Sequence, residues 1–240
     1  MARRAYRPSL ARWPGAVGRA IVQGMPTQPP RPGLTRARVL QAALDLVDRE
    51  GVDALSMRRL GRALGVEAMS LYGYVQSKED LIEGVVELIF GEMPLVVPAP
   101  EPWQERVRRH ARIYRSVLLS HPNAVRLVAG RPLVTEGTAA FVDSALCELR
   151  AIGLDVETAD RVLGVIASFT QGHVSEQAGA GRRTSSPGDV LDLSRFPDLS
   201  ELEELGKMTP ARYDAEFELG LDFIVAGVEA LLAASPAERA

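Results

Sequence analysis

The sequence has few of the residues and patterns that mark several classes of protein. It contains three histidines, one cysteine and no Gly-x-Ser-x-Gly or phosphate-loop pattern, which argues against an enzyme. Cys147 has no second cysteine to pair with, so an intramolecular disulfide is excluded and a reducing compartment such as the cytoplasm is favoured. No apolar run approaches the roughly 20 residues of a membrane-spanning helix, so no membrane partner is predicted.

What the chain does have is an ordinary globular composition with an uneven distribution of charge. Charged residues make up 25% of the 240 residues and apolar residues 46%, values typical of one or two globular domains. Residues 1–34 contain six arginines and no acidic residue, whereas residues 81–240 contain 15 basic and 24 acidic residues. A basic front end on an acidic body favours binding to nucleic acid at one pole of the molecule.

Residues 1–33 are rich in arginine, proline and glycine, and we predict that they form a disordered basic arm. The apolar stretch at residues 20–22 is too short for a secretion signal. Two interpretations of the arm are open. In one, it lies along the phosphates or a minor groove of DNA. In the other, it is a dispensable extension in front of a true start at Met25.

Residues 34–80 predict three short helices, of which the second and third are joined by a tight turn. Thr35 and Ser56 have the positions of N-terminal caps, and Gly51 and Gly65 those of helix ends. Apolar residues spaced i, i+3, i+4 and i+7 form one face of the first helix: Leu40, Ala43, Leu44 and Val47. The inner face of the second helix would hold Met57, Leu60, Ala63 and Leu64. The third would bury Leu71 and Val75, and a connecting helix would follow over residues 78–93.

This region resembles the DNA-binding part of the tetracycline-repressor (TetR) family of bacterial transcription factors. The resemblance is carried by the segments Leu55-Ser-Met-Arg-Arg-Leu60, Leu64-Gly-Val66, Ser70-Leu-Tyr72 and Val75 followed by Lys78. It implies a helix-turn-helix that carries a short helix into the major groove of DNA.

Nine residues are candidate DNA contacts, and the resemblance implies this role for all of them except Ala68, which the helix pattern places on the outer side. Ser56 and Arg58 would contact phosphate, and Lys78 the DNA backbone. The outer side of the third helix would carry the remaining six: Ala68, Met69, Ser70, Tyr72, Gly73 and Tyr74. A phenol can reach a phosphate, a serine hydroxyl can bind either class of base edge, and a methionine can pack on a thymine methyl.

Beyond a proline-rich linker that begins at Pro94, every segment has helical periodicity and none has the pattern of a strand, so the predicted fold is all-α. This half of the chain resembles the C-terminal part of the tetracycline repressors, and with the first half the resemblance spans roughly residues 34–234. The landmarks are Glu101-Pro-Trp103, Leu119-Ser-His121, Arg131-Pro132, Phe169-Thr-Gln-Gly-His173 and Phe217-Glu-Leu-Gly-Leu-Asp-Phe223. The resemblance implies a ligand-binding and dimerisation domain, with a homodimer made by helices over residues 155–177 and 210–233.

Small residues on these two helices favour the same contact. Gly164, Ser168 and Gly172 are spaced four apart, and Gly220 and Gly227 seven apart. A glycine inside a helix costs about 1 kcal/mol relative to alanine, so it usually has a packing reason. That reason is either the close approach of a partner subunit or relief of crowding within one subunit.

We predict a ligand pocket of seven residues: Phe90, His110, Tyr114, Leu127, Phe169, His173 and Glu176. By the resemblance, His110 occupies a drug-contacting position of the tetracycline repressors. Glu176 matches a position that helps to hold hydrated magnesium in the tetracycline repressors. The two histidines of their pocket, however, fall at Leu127 and Pro94 here. Glu176 alone would bind Mg²⁺ poorly. We therefore predict no metal and no cofactor, and an inducer that is largely apolar with a few polar groups.

Together these features predict a ligand-responsive, DNA-binding transcriptional regulator and not an enzyme. Its expected mode of action is that of a homodimeric repressor, which a small-molecule inducer releases from a palindromic operator in double-stranded DNA. The alternative is a helical ligand-binding or adaptor protein without sequence-specific DNA recognition.

Overall fold

The computed structural model describes residues 33–94, 100–129, 136–180, 191–206 and 208–234. All regular structure in these ranges is helical, which confirms the predicted all-α fold. The described α-helices are α1 (Arg36–Glu50), α2 (Met57–Leu64), α3 (Lys78–Gly91), α4 (Trp103–Ser120), α5 (Val125–Val128), α6 (Glu136–Ala151), α7 (Val156–Ala180), α8 (Pro197–Glu204) and α9 (Pro210–Ala233). Short 3-10 helices lie at Val52–Ala54, Ala68–Gly73 and Leu193–Arg195. The predicted arm up to residue 32, with Met25, and the Arg131-Pro132 landmark lie outside the described residues.

The N-terminal helices begin and end at the predicted residues. The hydroxyl of Thr35 accepts a hydrogen bond from the backbone N–H of Arg38 at 3.2 Å, and Ser56 accepts from Arg59 at 3.3 Å. Each hydroxyl satisfies a backbone donor that the helix itself leaves unpaired. The predicted inner face of α1 is buried, with 6% exposure or less at Leu40, Ala43, Leu44 and Val47.

Two glycines shape the turn after α2. Gly65 has φ 66° and ψ 30°, the left-handed conformation that glycine adopts without steric cost. A Cβ atom at Gly61 would lie 2.8 Å from the backbone oxygen of Val66, so only glycine allows the chain after the turn to pack this closely on α2. The prediction that Ala63 faces inward is wrong. Ala63 is exposed, because the buried side of α2 is formed by Leu60 and Gly61.

The third element of the unit is a 3-10 helix, Ala68–Gly73, which we call the recognition segment. The sequence predicted a third helix, and the tighter 3-10 form is common in pieces of this length. Leu71 and Val75 anchor it with 0% and 1% exposure, as predicted. Because these two side chains point into the core, the residues between them are directed to the surface.

Helix α4 is the centre of the C-terminal part and packs against α6, α7 and α9. Its predicted inner face is buried throughout: Val107, His110, Tyr114, Val117 and Leu118. Four polar contacts tie its outer side to the antiparallel α9. The pairs are Gln104–Glu229 at 2.9 Å, Arg108–Asp222 at 2.7 Å, Arg112–Glu218 at 2.6 and 2.8 Å, and Arg115–Asp214 at 2.8 Å.

The N-terminal helices and the C-terminal part of the chain meet at His121, which directly follows α4. Its Nδ1 lies 2.8 Å from Asp48 Oδ2 on α1, and its Nε2 lies 3.1 Å from Glu92 Oε2 at the end of α3. Burial lowers the pKa of His121, but the hydrogen bonds to the two carboxylates outweigh it and leave the pKa raised above its ordinary value. The protonated ring therefore joins three helices with charge-assisted hydrogen bonds.

Helices α7 and α9 present a face that no other described part of the chain covers. Val165 and Phe223 are 55% and 69% exposed on it. A Cβ atom would meet open space at Gly164, Gly172 and Gly227, which leaves room for partner helices. Gly220 differs, because a Cβ atom there would lie 2.2 Å from the ring of Phe169. Crowding within one subunit therefore explains that glycine, as the second interpretation anticipated.

Candidate nucleic-acid interface and ligand cavity

The predicted DNA contacts lie on three consecutive parts of the chain: α2 with its cap, the recognition segment with Tyr74, and the start of α3. The side chains or backbones of Arg58, Met69, Tyr72, Gly73 and Lys78 are exposed there, with Met69 at 70% and Tyr72 at 45%. Ser56, Ala68 and Ser70 are half-buried. An exposed methionine and an exposed tyrosine can contact base edges and phosphate, and exposed cationic residues on the flanking helices can contact phosphate.

Tyr74 differs from its neighbours. It is half-buried, it packs on the apolar core, and its hydroxyl is enclosed without a hydrogen-bond partner among the described residues. Its carbonyl oxygen accepts a hydrogen bond from Arg36 at 3.1 Å. The expected place of Tyr74 on the outer side is therefore only partly realised, because its ring packs against the apolar core and its hydroxyl is enclosed.

An ion pair holds the recognition segment against α1 and α3. Arg36 donates to both carboxylate oxygens of Asp80, at 2.6 and 3.1 Å, in addition to the Tyr74 carbonyl. Asp80 also accepts from the backbone N–H of Gln76 at 2.7 Å. The guanidinium of Arg36 and these hydrogen bonds lower the pKa of Asp80 below its ordinary value. The bidentate pair thus fixes the end of the recognition segment relative to the start of α3.

A mostly apolar cavity of about 200 Å³ lies between α4, α6 and α7, with the end of α3 at one side. Four aromatic rings line it: Phe90, His110, Tyr114 and Phe141. The centroid of Phe141 lies 6.2 Å from each of the other three. The polar groups at the wall are the imidazole of His110, the paired Tyr114 and Gln171, and the carboxylate of Glu148. A cavity with an aromatic lining and few polar groups is typical of a small-molecule site.

The polar groups of the cavity have defined partners with one exception. The amide of Gln171 donates to the hydroxyl of Tyr114 at 2.7 Å, and burial raises the pKa of that hydroxyl. Glu148 forms an ion pair with Arg106 at 2.6 Å. The Nδ1 atom of His110 lies 3.0 Å from the backbone oxygen of Arg106, whereas its Nε2 atom is buried and has no partner among the described residues.

The seven residues predicted for one pocket divide between different places. Phe90, His110 and Tyr114 line the cavity. Phe169, His173 and Glu176 instead line a second hollow of about 360 Å³ between α7 and α9, on the side of the uncovered face. Leu127, at 2% exposure, belongs to the apolar core and lines neither space. The division arises because α7 turns Phe169 and His173 away from α6 and toward α9, where both rings contact Phe217.

Several cavity residues escaped the sequence prediction. Phe141 and Gln171 are the clearest, together with the smaller lining residues Val142, Ala145, Leu163 and Ala167. Gln171 lies within the Phe169-Thr-Gln-Gly-His173 landmark. Its spacing of four from Ala167 places both residues on one face of the helix, and this was the available signal in the sequence. Phe141 gives no signal in the sequence beyond being an apolar residue in a segment with helical periodicity. No group of three or more histidine, cysteine or acidic side chains in the described ranges is placed to hold a metal ion.

Comparison with known proteins identifies the family. The model for bacterial regulatory proteins of the tetR family matches residues 39–85, and the model for the tetracyclin repressor-like C-terminal domain matches residues 97–232. An HTH-type transcriptional regulator of Saccharopolyspora erythraea is 30% identical over 206 residues, which cover 83% of this chain and 86% of that protein. The class A tetracycline repressor of Escherichia coli is 32% identical over 197 residues, which cover 79% and 88%.

Solved structures agree. A possible TetR family transcriptional regulator from Streptomyces coelicolor superimposes with a TM-score of 0.72 at 32% identity, covering 82% of this chain and 99% of the other. The ActR protein of the same organism, solved in complex with actinorhodin, gives a TM-score of 0.70 at 29% identity, covering 84% and 99%.

The chain therefore belongs to the tetracycline-repressor family, and the resemblance read from the sequence is confirmed. It is a ligand-responsive, DNA-binding transcriptional regulator that acts as a dimer. The alternative of a ligand-binding or adaptor protein without DNA recognition is not supported. None of the helices in the described ranges combines the length and the apolarity that crossing a membrane requires.

Proposed function

We propose that this regulator is a repressor whose recognition segment reads a palindromic operator. Two copies would place their segments in successive major grooves, about 34–36 Å apart. The proposed DNA contacts are the nine that the sequence predicted: Ser56, Arg58, Ala68, Met69, Ser70, Tyr72, Gly73, Tyr74 and Lys78. The observation that carries the proposal is the exposure of Met69 and Tyr72 on a segment that Arg36 and Asp80 hold in place, with Arg58 and Lys78 exposed on the two flanking helices.

The residues differ in what they are expected to contribute. Tyr72 and Met69 project from the segment and are suited to phosphate and thymine methyl contacts. Arg58 and Lys78 supply charge, which positions the protein without reading sequence. Tyr74 is expected to act mainly through its backbone and through the position it gives its neighbours, because its hydroxyl is enclosed.

Fluorescence anisotropy with the intergenic DNA beside the regulator's own gene tests this assignment. Tyr72→Ala should weaken binding by about 1–3 kcal/mol. Arg58→Ala should reduce the slope of log K against the logarithm of the salt concentration by about one. Arg195→Ala is the matched control, since this exposed arginine lies in the 3-10 helix before α8. Wild-type affinity and salt dependence in both Tyr72→Ala and Arg58→Ala would refute the proposal.

We further propose that the inducer binds in the cavity between α4, α6 and α7. The aromatic lining supports a largely apolar ligand, and so does ActR, which was solved with actinorhodin. The replacement of the two histidines by Leu127 and Pro94 argues against a magnesium–tetracycline complex. A TetR variant of Acinetobacter baumannii was solved with minocycline, so tetracyclines belong in the test.

A thermal-shift screen of aromatic natural products against the wild type and Ala145→Phe tests the cavity. The alanine is 5% exposed and lines the cavity, so a phenyl group there should fill it and abolish the stabilisation by true ligands. A response only to magnesium-chelated tetracyclines would overturn the proposal of an apolar inducer.

We also infer the division of labour along the chain. Residues 1–33 would form a basic arm, residues 34–80 the helix-turn-helix domain with α3 as its connection, and residues 94–240 the ligand-binding and dimerisation domain. Deletion of residues 2–30 should then flatten the salt dependence of DNA binding, and an unchanged slope would reject the arm. The regulator would act in the cytoplasm and have no catalytic activity, which turnover by the purified protein would disprove.

A further inference from the structure

The wall of the cavity contains one polar atom whose bonding is incomplete. His110 is 7% exposed, and its Nδ1 atom lies 3.0 Å from the carbonyl oxygen of Arg106. A carbonyl oxygen can only accept a hydrogen bond, so Nδ1 must carry the hydrogen. The other ring nitrogen, Nε2, is buried without a hydrogen-bond partner among the described residues.

The charge state of the imidazole follows from its surroundings. Burial lowers the pKa of His110 below its ordinary value, and the repulsion of Arg109 acts in the same direction. The Arg106 carbonyl and the carboxylates of Glu148 and Glu101 act in the opposite direction but do not outweigh burial. The ring is therefore neutral at pH 7. A neutral imidazole with its hydrogen on Nδ1 offers a bare lone pair at Nε2.

The cavity that His110 lines is suited to a flat ring. Phe141 lies 6.2 Å from His110, and Phe90 and Tyr114 complete the aromatic lining. Aromatic side chains at such distances stack on or pack edge-to-face against an inserted ring. Because a buried acceptor without a donor is unfavourable, a ligand that brings a donor to Nε2 gains more than one that does not.

We propose that the inducer is a flat, hydroxylated aromatic molecule, one of whose hydroxyl groups donates a hydrogen bond to Nε2 of His110. This inference rests on the proposed role of the cavity as the inducer site. It adds a polarity requirement to that role. The ligand must be a donor at this point, and a molecule with only ether or carbonyl oxygens there leaves the acceptor unsatisfied.

Calorimetry with 2-naphthol and 2-methoxynaphthalene tests the requirement on the full chain. The two probes share a ring system and differ in the donor. Wild-type protein should bind 2-naphthol about tenfold or more tightly than the ether. His110→Phe keeps an aromatic ring without the acceptor and should bring the ratio close to one. His173→Phe is the matched control, because His173 is equally buried but lines the second hollow, and it should keep the wild-type ratio.

The outcomes separate this inference from the proposed function. Equal affinities of the two probes in the wild type, or a wild-type ratio in His110→Phe, would overturn the donor requirement and leave the cavity as the inducer site. No binding of 2-naphthol up to its solubility limit would overturn the aromatic class. Unchanged affinity for both probes in Ala145→Phe would place their binding elsewhere and contradict the proposed cavity itself.

Nitrogen NMR of the histidines gives a readout that does not depend on affinity. The chain has three histidines, His110, His121 and His173, so single-site variants assign the ring signals. At pH 7 His110 should give the signals of the Nδ1–H tautomer, and its Nε2 signal should move on addition of 2-naphthol. An imidazolium, an Nε2–H tautomer or an unperturbed Nε2 signal in the complex would contradict the inference.

Discussion

The His121 junction predicts a dependence of stability on pH that one substitution should remove. His121→Phe keeps a planar ring but loses the hydrogen bonds to Asp48 and Glu92. Glu92 is 47% exposed, so its bond is worth under about 1 kcal/mol. Asp48 is 27% exposed, and a hydrogen bond between charged groups contributes about 1.5–3 kcal/mol. We therefore expect His121→Phe to lower the free energy of unfolding by about 2–3 kcal/mol at pH 6.

The loss should diminish at higher pH. Because the folded-state pKa of His121 is raised, its protonated form contributes full stability below the unfolded-state pKa of about 6.5. That contribution disappears as the pH rises through the folded-state pKa. The neutral ring has a single N–H, so only one hydrogen bond, worth about 1 kcal/mol, remains at pH 9. Urea unfolding of the wild type and the variant at pH 6 and pH 9 measures both differences.

A second pair across the same junction provides the control. Arg126 lies 3.3 Å from Asp53, but the two side chains are 73% and 87% exposed. Arg126→Ala should therefore change the free energy of unfolding by less than about 0.5 kcal/mol at either pH. A loss in His121→Phe that is the same at pH 6 and pH 9 would refute the reasoning, because it would mean that the charge on the ring contributes nothing.

Two further predictions follow from buried groups. Gly61→Ala should lower the free energy of unfolding by about 1–3 kcal/mol in urea titrations, because the added Cβ atom meets the backbone of Val66. Gly91→Ala is the control and should not destabilise, because a Cβ atom there meets open space. Equal effects of the two substitutions would contradict the close approach at Gly61. His110 and His173 have lowered pKa values through burial, so their protonation opposes folding as the pH falls below about 6.5. His110→Phe should accordingly lose less stability than the wild type between pH 7 and pH 5, and a parallel loss would argue that His110 is already charged.

The features that the sequence predicted well are those set by neighbouring residues. The caps at Thr35 and Ser56 and the inner faces of α1 and α4 depend on spacing along one helix, and the structure confirms them. The features missed depend on residues that meet only after folding. Gly61 is needed because the chain beyond the turn returns to α2, and His121 finds Asp48 at a separation of 73 residues.

The division of the predicted ligand residues between two spaces could not be read from the sequence for the same reason. His110 and His173 both lie on apolar faces, and the sequence pattern treats them alike. Which space each ring enters depends on the rotation of α7 relative to α4 and α9, and a single helical period contains no information about that rotation. The lone pair on His110 Nε2 was equally hidden, because it follows from a contact with the Arg106 carbonyl rather than from residue type.

Helix α3 gives the cavity a physical route to the DNA-binding surface. Phe90, in its last turn, lines the cavity, while Ser77 and Asp80 hold its first turn beside the recognition segment. Its 14 residues span about 20 Å. A helix packed along its length moves as a unit, so a ligand that displaces Phe90 also displaces the start of α3. The ligand can drive this change only by binding the two arrangements with different affinity. Phe90 lies at the end of α3 that the hydrogen bond from His121 to Glu92 holds in place. A ligand that displaces Phe90 would therefore have to work against that hydrogen bond.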